Sequence, residues 1–373
     1  MASWRRVSLV AAVFGGGLLA ATPMPAAAAT HGFIREFEST RQIASTVPKN
    51  GDLNPYGLAV VPRSIGDLKA GDALVSNFNN RLSAGNLQGT GTTIVEISPS
   101  GHLRVFAAID PKTLPGACPG GVGLTTALVA LRSGWVIVGS LPTSDGTSAT
   151  MKAGCLLVLN SRGKVVRTIS GGNINGPWDM TAVESRDRVT LFVTNVLNGT
   201  VAHSPNVVNG GTVVRLVLSA EDASLQSSIV VGRNFPERTD ASSLVVGPTG
   251  VGFRDGSLFV ADSVNSRIVR ISNALQRTTA SGGRVVSVGG ALSDPLGLAV
   301  APNGDILTVN GGDGNIVETT PGGAQIAVKT LDTTPGPPGT PAGNGALFGV
   351  AIPADQEGVY FVDDATNALS ILE

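Results

Sequence analysis

One motif recurs along this chain and limits what it can fold into. It opens with Pro or a nearby apolar residue, followed by Gly, an apolar residue, a small residue and another apolar one. Clear copies are Pro55-Tyr-Gly-Leu-Ala-Val60, Pro248-Thr-Gly-Val-Gly-Phe253, Pro295-Leu-Gly-Leu-Ala-Val300 and Leu347-Phe-Gly-Val-Ala-Ile352. Two weaker copies are Gly123-Leu-Thr-Thr-Ala-Leu128 and Pro177-Trp-Asp-Met-Thr-Ala-Val183. After each copy comes a turn and a second short apolar run ending in a small polar residue: Asn77, Ser140, Asn195, Asp262, Asn310 or Asp363. A third run follows each of these, such as Ile94-Val-Glu-Ile97 and Ile268-Val-Arg-Ile271. Fourth runs such as Leu103-Arg-Val-Phe106 come after tight turns. Self-similarity at a fixed period marks a repeat architecture. Six units over residues 30–373 give about 57 residues each, a minimal blade plus loop insertions.

Four short strands per unit, six times over, predict an all-β, six-bladed β-propeller of four-stranded antiparallel blades. Small residues at Gly57/Ala59, Gly250/Gly252, Gly297/Ala299 and Gly349/Ala351 fall on one face of their strands, as crowding near a central axis requires. The strands are continuously apolar because neighbouring blades cover both faces. Composition agrees: 49 Gly, 22 Pro and 14% charged residues favour short strands joined by turns over helices or coiled coils. The last unit stops after its third strand, at Glu373. The isolated run Phe33-Ile-Arg-Glu-Phe37 is read as the N-terminal strand that completes it, closing the ring and leaving no terminal edge exposed.

Residues 1–29 read as a secretory signal peptide. Arg5 and Arg6 precede an apolar run from Val7 to Ala21, and Ala-x-Ala triplets follow at residues 26–29. The apolar run is shorter than the roughly 20 residues of a membrane span. Residues 30–373 are then a single exported propeller domain, secreted or periplasmic, with no span left after signal removal. In an oxidising compartment the two cysteines, Cys118 and Cys155, are expected to form a disulfide, because propeller topology puts their two connections on one face. Lys plus Arg (26) balance Asp plus Glu (27), so no basic surface for nucleic acid is indicated.

The stretch Asp262-Ser-Val-Asn-Ser-Arg-Ile-Val-Arg-Ile271, with Asp255-Gly-Ser-Leu-Phe-Val-Ala before it, resembles an NHL repeat. By that resemblance, residues 31–373 are similar to the NHL-type and gluconolactonase-like six-bladed propellers. The resemblance implies calcium-dependent lactonases, lyases or pure binding scaffolds, so it does not select a function. In the gluconolactonase-like subgroup, Asn and Asp at first-strand starts hold a divalent ion. The matching residues here are Tyr56, Trp178, Thr249, Leu296 and Phe348, and none is a carboxylate or amide.

Two functional readings stand at this point. One is binding of a small molecule or extracellular protein, by a monomer, on the face bearing the ends of the second strands. From ring residue to third strand is six residues in blades 4 to 6 but 16 to 18 in blades 1 to 3. Half the rim is thus built up by insertions containing Phe78, Arg81, Asp145, Lys152 and His203, and long loops on a rigid scaffold are where binding residues concentrate. The other reading is a calcium-dependent hydrolase whose ion is held at the channel mouth by Asn77, Asn195, Asp262, Asn310 and Asp363, since calcium takes 6–8 oxygens. His203 is the histidine on that face. Against the metal role, Asn and Asp at strand ends also cap their own turns, and Asp262 has a local partner in Arg267. Asn198-Gly-Thr200 is a glycosylation sequon.

Overall fold

The computed structural model describes Met1, residues 32–82 and residues 85–373; the expected signal peptide lies outside the described residues. Six antiparallel sheets form six blades. Their innermost strands are Asp52–Val60, Leu124–Ala130, Pro177–Glu184, Pro248–Arg254, Pro295–Val300 and Leu347–Ala351. Each packs on the next, and the last packs on the first, so the sheets form a closed ring. All six motif copies form these inner strands, including the two weaker ones. Among the described residues no helix is long and apolar enough to cross a membrane.

An N-terminal strand does close the ring, but it is Thr40–Ser45 and not Phe33–Phe37. Thr40–Ser45 pairs antiparallel with Ala368–Leu372, from Thr40 opposite Leu372 to Ser45 opposite Ala368. The outermost strand of a blade faces solvent, and Thr-Arg-Gln-Ile-Ala-Ser is mostly exposed, which is why an apolar pattern does not reveal it. Phe33–Glu36 is a 3₁₀ turn on blade 5. The Glu318 carboxylate accepts from the amides of Phe33 and Ile34 at 2.6 and 2.9 Å, and Ile34 is fully buried. The run read as a strand instead anchors the entering chain, with Phe33 and Phe37 packed against the cluster around Ile34.

Close approach at the axis explains the motif's glycine. A Cβ at Gly297 would lie 1.9 Å from the Phe348 carbonyl, and one at Gly349 would lie 2.5 Å from the Tyr56 carbonyl. Side chains cannot be accommodated there without moving a neighbouring blade. Blade 3 carries Asp179 at this position, and blade 2, whose inner strand has one extra residue between the paired Leu124 and Leu128, carries Thr126 and Ala127 there, which breaks the glycine ring on one side.

The inner strands are buried at their starts and become half-exposed at their ends in all six blades. The channel along the axis is therefore sealed at the face where the inner strands begin. It opens toward the opposite face, where they turn into the second strands.

Candidate functional site

The six second-strand ends occupy equivalent places. Asn77, Ser140, Asn195, Asp262, Asn310 and Asp363 each lie opposite a residue near the start of their own inner strand, Pro55, Leu124, Pro177, Pro248, Pro295 and Leu347. All six are buried, and each bonds within its own neighbourhood. Ser140 Oγ accepts from Gly123 N and donates to the Gly121 carbonyl, both at 3.0 Å. Asn195 Oδ1 accepts from Asn175 N at 3.2 Å, and Asn310 Oδ1 accepts from Ser293 N at 3.2 Å. Asn77 Nδ2 donates to the Thr46 carbonyl at 3.0 Å. Asp262 takes the Arg267 guanidinium at 2.6 Å, the local ion pair expected from the sequence, and Asp363 accepts from Thr366 N at 3.2 Å. These bonds tie the chain entering the inner strand, or the turn after the second strand, to the sheet. Among the described residues no group of three or more His, Cys, Asp and Glu is placed to hold a metal ion.

The channel mouth on this face is filled. Tyr56 stacks between Phe348 and Phe78, with ring centroids 3.8 and 4.4 Å apart. Trp178 and Leu296 belong to the same buried cluster. Over them folds a hairpin: the outer strand of blade 3, Leu225–Asp240, runs on past its sheet and returns as Leu244–Val246, with Arg238 opposite Val246 and Asp240 opposite Leu244. Trp178 Nε1 donates to the Val245 carbonyl at 3.1 Å, and Tyr56 Oη donates to the Ser242 carbonyl at 3.3 Å. Leu244, Val245 and Val246 are all buried. The hairpin thus reaches from blade 3 across to blade 1 and seals the axis with apolar side chains. The sequence carried one sign of it: from third strand to next inner strand is 35 residues in blade 3, Val213 to Pro248, the longest such step in the chain.

The long loops of blades 1 to 3 form a joined shelf. Thr143 N donates to the Gly89 carbonyl at 3.0 Å, and Thr143 Oγ1 donates to the Gln88 carbonyl at 2.6 Å. Gly154 N donates to the Asn175 carbonyl at 2.5 Å. The expected disulfide between Cys118 and Cys155 is present, with Cα atoms 5.3 Å apart. It joins the connection entering blade 2 to that blade's third strand. Glu237 ties the blade 3 loop to the hairpin, its Oε1 accepting from Asn198 N and Thr200 Oγ1, both at 2.8 Å. Its side chain is fully buried, and burial pushes the carboxyl up to about 7. Thr200 is buried too and Asn198 bonds Asn175, so the sequon is part of the folded loop and a glycan on it would displace these contacts. His203 is exposed, with Nδ1 2.8 Å from the Gly199 carbonyl.

Below the seal, a cavity of about 160 Å³ runs along the axis, lined by inner-strand residues including Leu58, Thr126, Asp179, Val251 and Phe253. The Asp179 carboxylate accepts from Met180 N at 2.8 Å and Val251 N at 3.1 Å. Burial pushes it up to about 8, only partly offset by those two amides. Neither Asp179 nor Thr126 stood out in the sequence reading, although both sit where the repeat departs from glycine.

Fold and face together define a six-bladed propeller with an apolar, sealed axial mouth, a one-sided loop shelf and a channel open at the far face. No protein-family model and no curated protein sequence matches the chain. Solved structures do share its architecture. A streptogramin B lyase superposes with a TM-score of 0.53 at 14% identity, covering 90% of this chain and 97% of its own. A gluconolactonase from Xanthomonas campestris gives 0.54 at 12% identity, covering 89% and 88%. Virginiamycin B lyase from Staphylococcus aureus gives 0.52 at 12% identity, covering 89% and 98%. At these identities the likeness is one of fold, and it agrees with the propeller resemblance drawn from the repeats.

Proposed function

We propose that this chain is an exported binding propeller that takes a small molecule or an extracellular protein on the shelf formed by the long loops of blades 1 to 3. The observation that carries this reading is the sealed mouth. Tyr56, Trp178, Leu296 and Phe348 fill four of the first-strand starts, the Thr249 hydroxyl at a fifth is held by Ser263 and the Pro295 carbonyl, and the hairpin of residues 238–246 covers them, which leaves substrate no path to an ion there. The second-strand ends bond their own turns or the chain entering the inner strand, with Asn77 Oδ1 alone left without a partner among them. His203, the histidine on this face, is an exposed imidazole held by a backbone carbonyl and not aimed at the mouth's buried cluster.

The shelf has the properties of a prepared surface. Its loops are cross-bonded and stapled by the disulfide, which lowers the ordering cost of binding. It presents Lys152 and Val207 to solvent together with His203. The disulfide also suits an oxidising compartment.

Thermal unfolding with a small-molecule library, on the wild type and on a variant with the 141–154 loop shortened, tests the binding role. Compounds that raise the melting temperature of the wild type should lose that effect in the shortened variant. Equal shifts in both would overturn the placement on the shelf. Hydrolysis of lactones that depends on added calcium would replace this reading with the hydrolase one, whose named precedent is the gluconolactonase of the same fold.

A further inference from the structure

The axial channel holds one buried carboxylate without a counter-charge. Asp179 is 8% exposed, its hydrogen-bond partners are two backbone amides, and among the described residues no Lys, Arg or His forms an ion pair with it. Thr126, in the bulged inner strand of the neighbouring blade, is 4% exposed and lines the same cavity, and its Oγ1 has no hydrogen-bond partner. Each carboxylate oxygen has lone pairs left after accepting one amide, and the threonine hydroxyl retains both of its own. Buried charges in proteins are paired or coordinate ions, and a buried unpaired hydroxyl is costly.

The other four blades carry glycine where blade 3 has Asp179, and blade 2 has its bulge with Thr126 at that level. Asp179 and Thr126 add a carboxylate and a hydroxyl, on neighbouring blades, to a cavity that Thr181 and the inner-strand glycines also line, beside a space open to the far face. We propose that Asp179 and Thr126 form a site for a singly charged cation, an alkali-metal ion or a primary ammonium group, entering from the face opposite the loop shelf. Charge decides the valence. One carboxylate balances one positive charge, whereas a divalent ion would leave a net charge buried among Leu58, Val251 and Phe253. Size is compatible: about 160 Å³ holds an ion with roughly four waters at ~30 Å³ each. The site is separate from the sealed mouth and does not depend on what binds the shelf.

The test is thermal unfolding of the full protein at pH 9, where the carboxyl is ionised, at constant ionic strength. The salts are chlorides of potassium, sodium, butylammonium and tetraethylammonium, the last having no N–H and four bulky arms. Asp179→Asn serves as the reference that subtracts general salt effects. The wild type should melt higher in at least one of the first three salts than in tetraethylammonium, and Asp179→Asn should not. A cation at a hundredfold excess over its Kd multiplies the folded-to-unfolded ratio about a hundredfold. An effect of potassium or sodium assigns an inorganic ion; an effect of butylammonium alone assigns the ammonium tip of a larger molecule. Thr126→Val, which keeps shape and carboxylate, should weaken the cation effect, and it decides the matter should Asp179→Asn fail to fold. Equal melting in all four salts, or an unchanged cation effect in either variant, overturns the proposal.

Discussion

Replacing Trp178 tests whether the hairpin over the axis is built into the core or merely rests on it. The side chain is 4% exposed and packs with Tyr56, Leu244 and Val245, while its indole N–H satisfies the Val245 carbonyl at 3.1 Å. Trp178→Phe keeps most of the apolar contact and removes the donor, leaving a buried carbonyl unpaired at a cost of about 1–3 kcal/mol. Trp178→Ala removes the ring as well and opens a cavity that the aromatic stack around Tyr56 cannot fill, for about 3–5 kcal/mol in all. That is a large fraction of the roughly 5–15 kcal/mol that holds a domain folded. Urea unfolding measures both values, and limited proteolysis reports the hairpin tip at Ala241–Ser243. The alanine variant should be cut there at protease levels that leave the wild type intact. If Trp178→Ala costs under about 1 kcal/mol and the tip stays protected, the seal does not depend on this contact and the reasoning fails.

Three further outcomes follow from the same geometry. Replacing Cys118 and Cys155 by alanine should lower stability by about 3–4 kcal/mol from chain entropy, since the bridge closes a separation of 37 residues; chemical denaturation reads it, and a loss below about 1 kcal/mol would contradict the estimate. Because burial holds Glu237 up to about 7 while its unfolded value stays near 4.5, the folded state keeps a proton that the unfolded state releases. Stability should therefore fall as pH rises between those values, by at most about 1.4 kcal/mol per pH unit, and Glu237→Gln should flatten that part of the curve. Asn310→Ala should cost about 2 kcal/mol, because it frees Ser293 N and the Ala291 carbonyl, and it should leave ligand-induced shifts unchanged; a lost ligand response with intact stability would return Asn310 to the binding site.

The repeats made the architecture legible because an inner strand is constrained from every side: glycine where carbonyls of the next blade approach, bulky aliphatics elsewhere. The outermost strand has no such constraint, and Thr40–Ser45 was missed for the aromatic run beside it. The disulfide could be read from topology, since two connections on one face bring distant cysteines together. The seal could not, because nothing in Ser242-Ser-Leu-Val-Val246 states that a strand overshoots its sheet and folds across the axis. Asp179 lay in plain view as a departure from glycine. Its significance depends on being buried without a cation nearby, which is a property of the packed ring and not of the local sequence.

An axial mouth without calcium is what most sharply divides the proposed binding role from a calcium-dependent hydrolase. Thermal unfolding of residues 30–373 at neutral pH, once with millimolar calcium and once with chelator, tests this most directly, because an ion that binds the native state stabilises it by mass action. The account predicts melting temperatures that coincide within about 1 °C; a rise of about 5 °C or more with calcium, of the size expected for a site saturated well above its Kd, would contradict it.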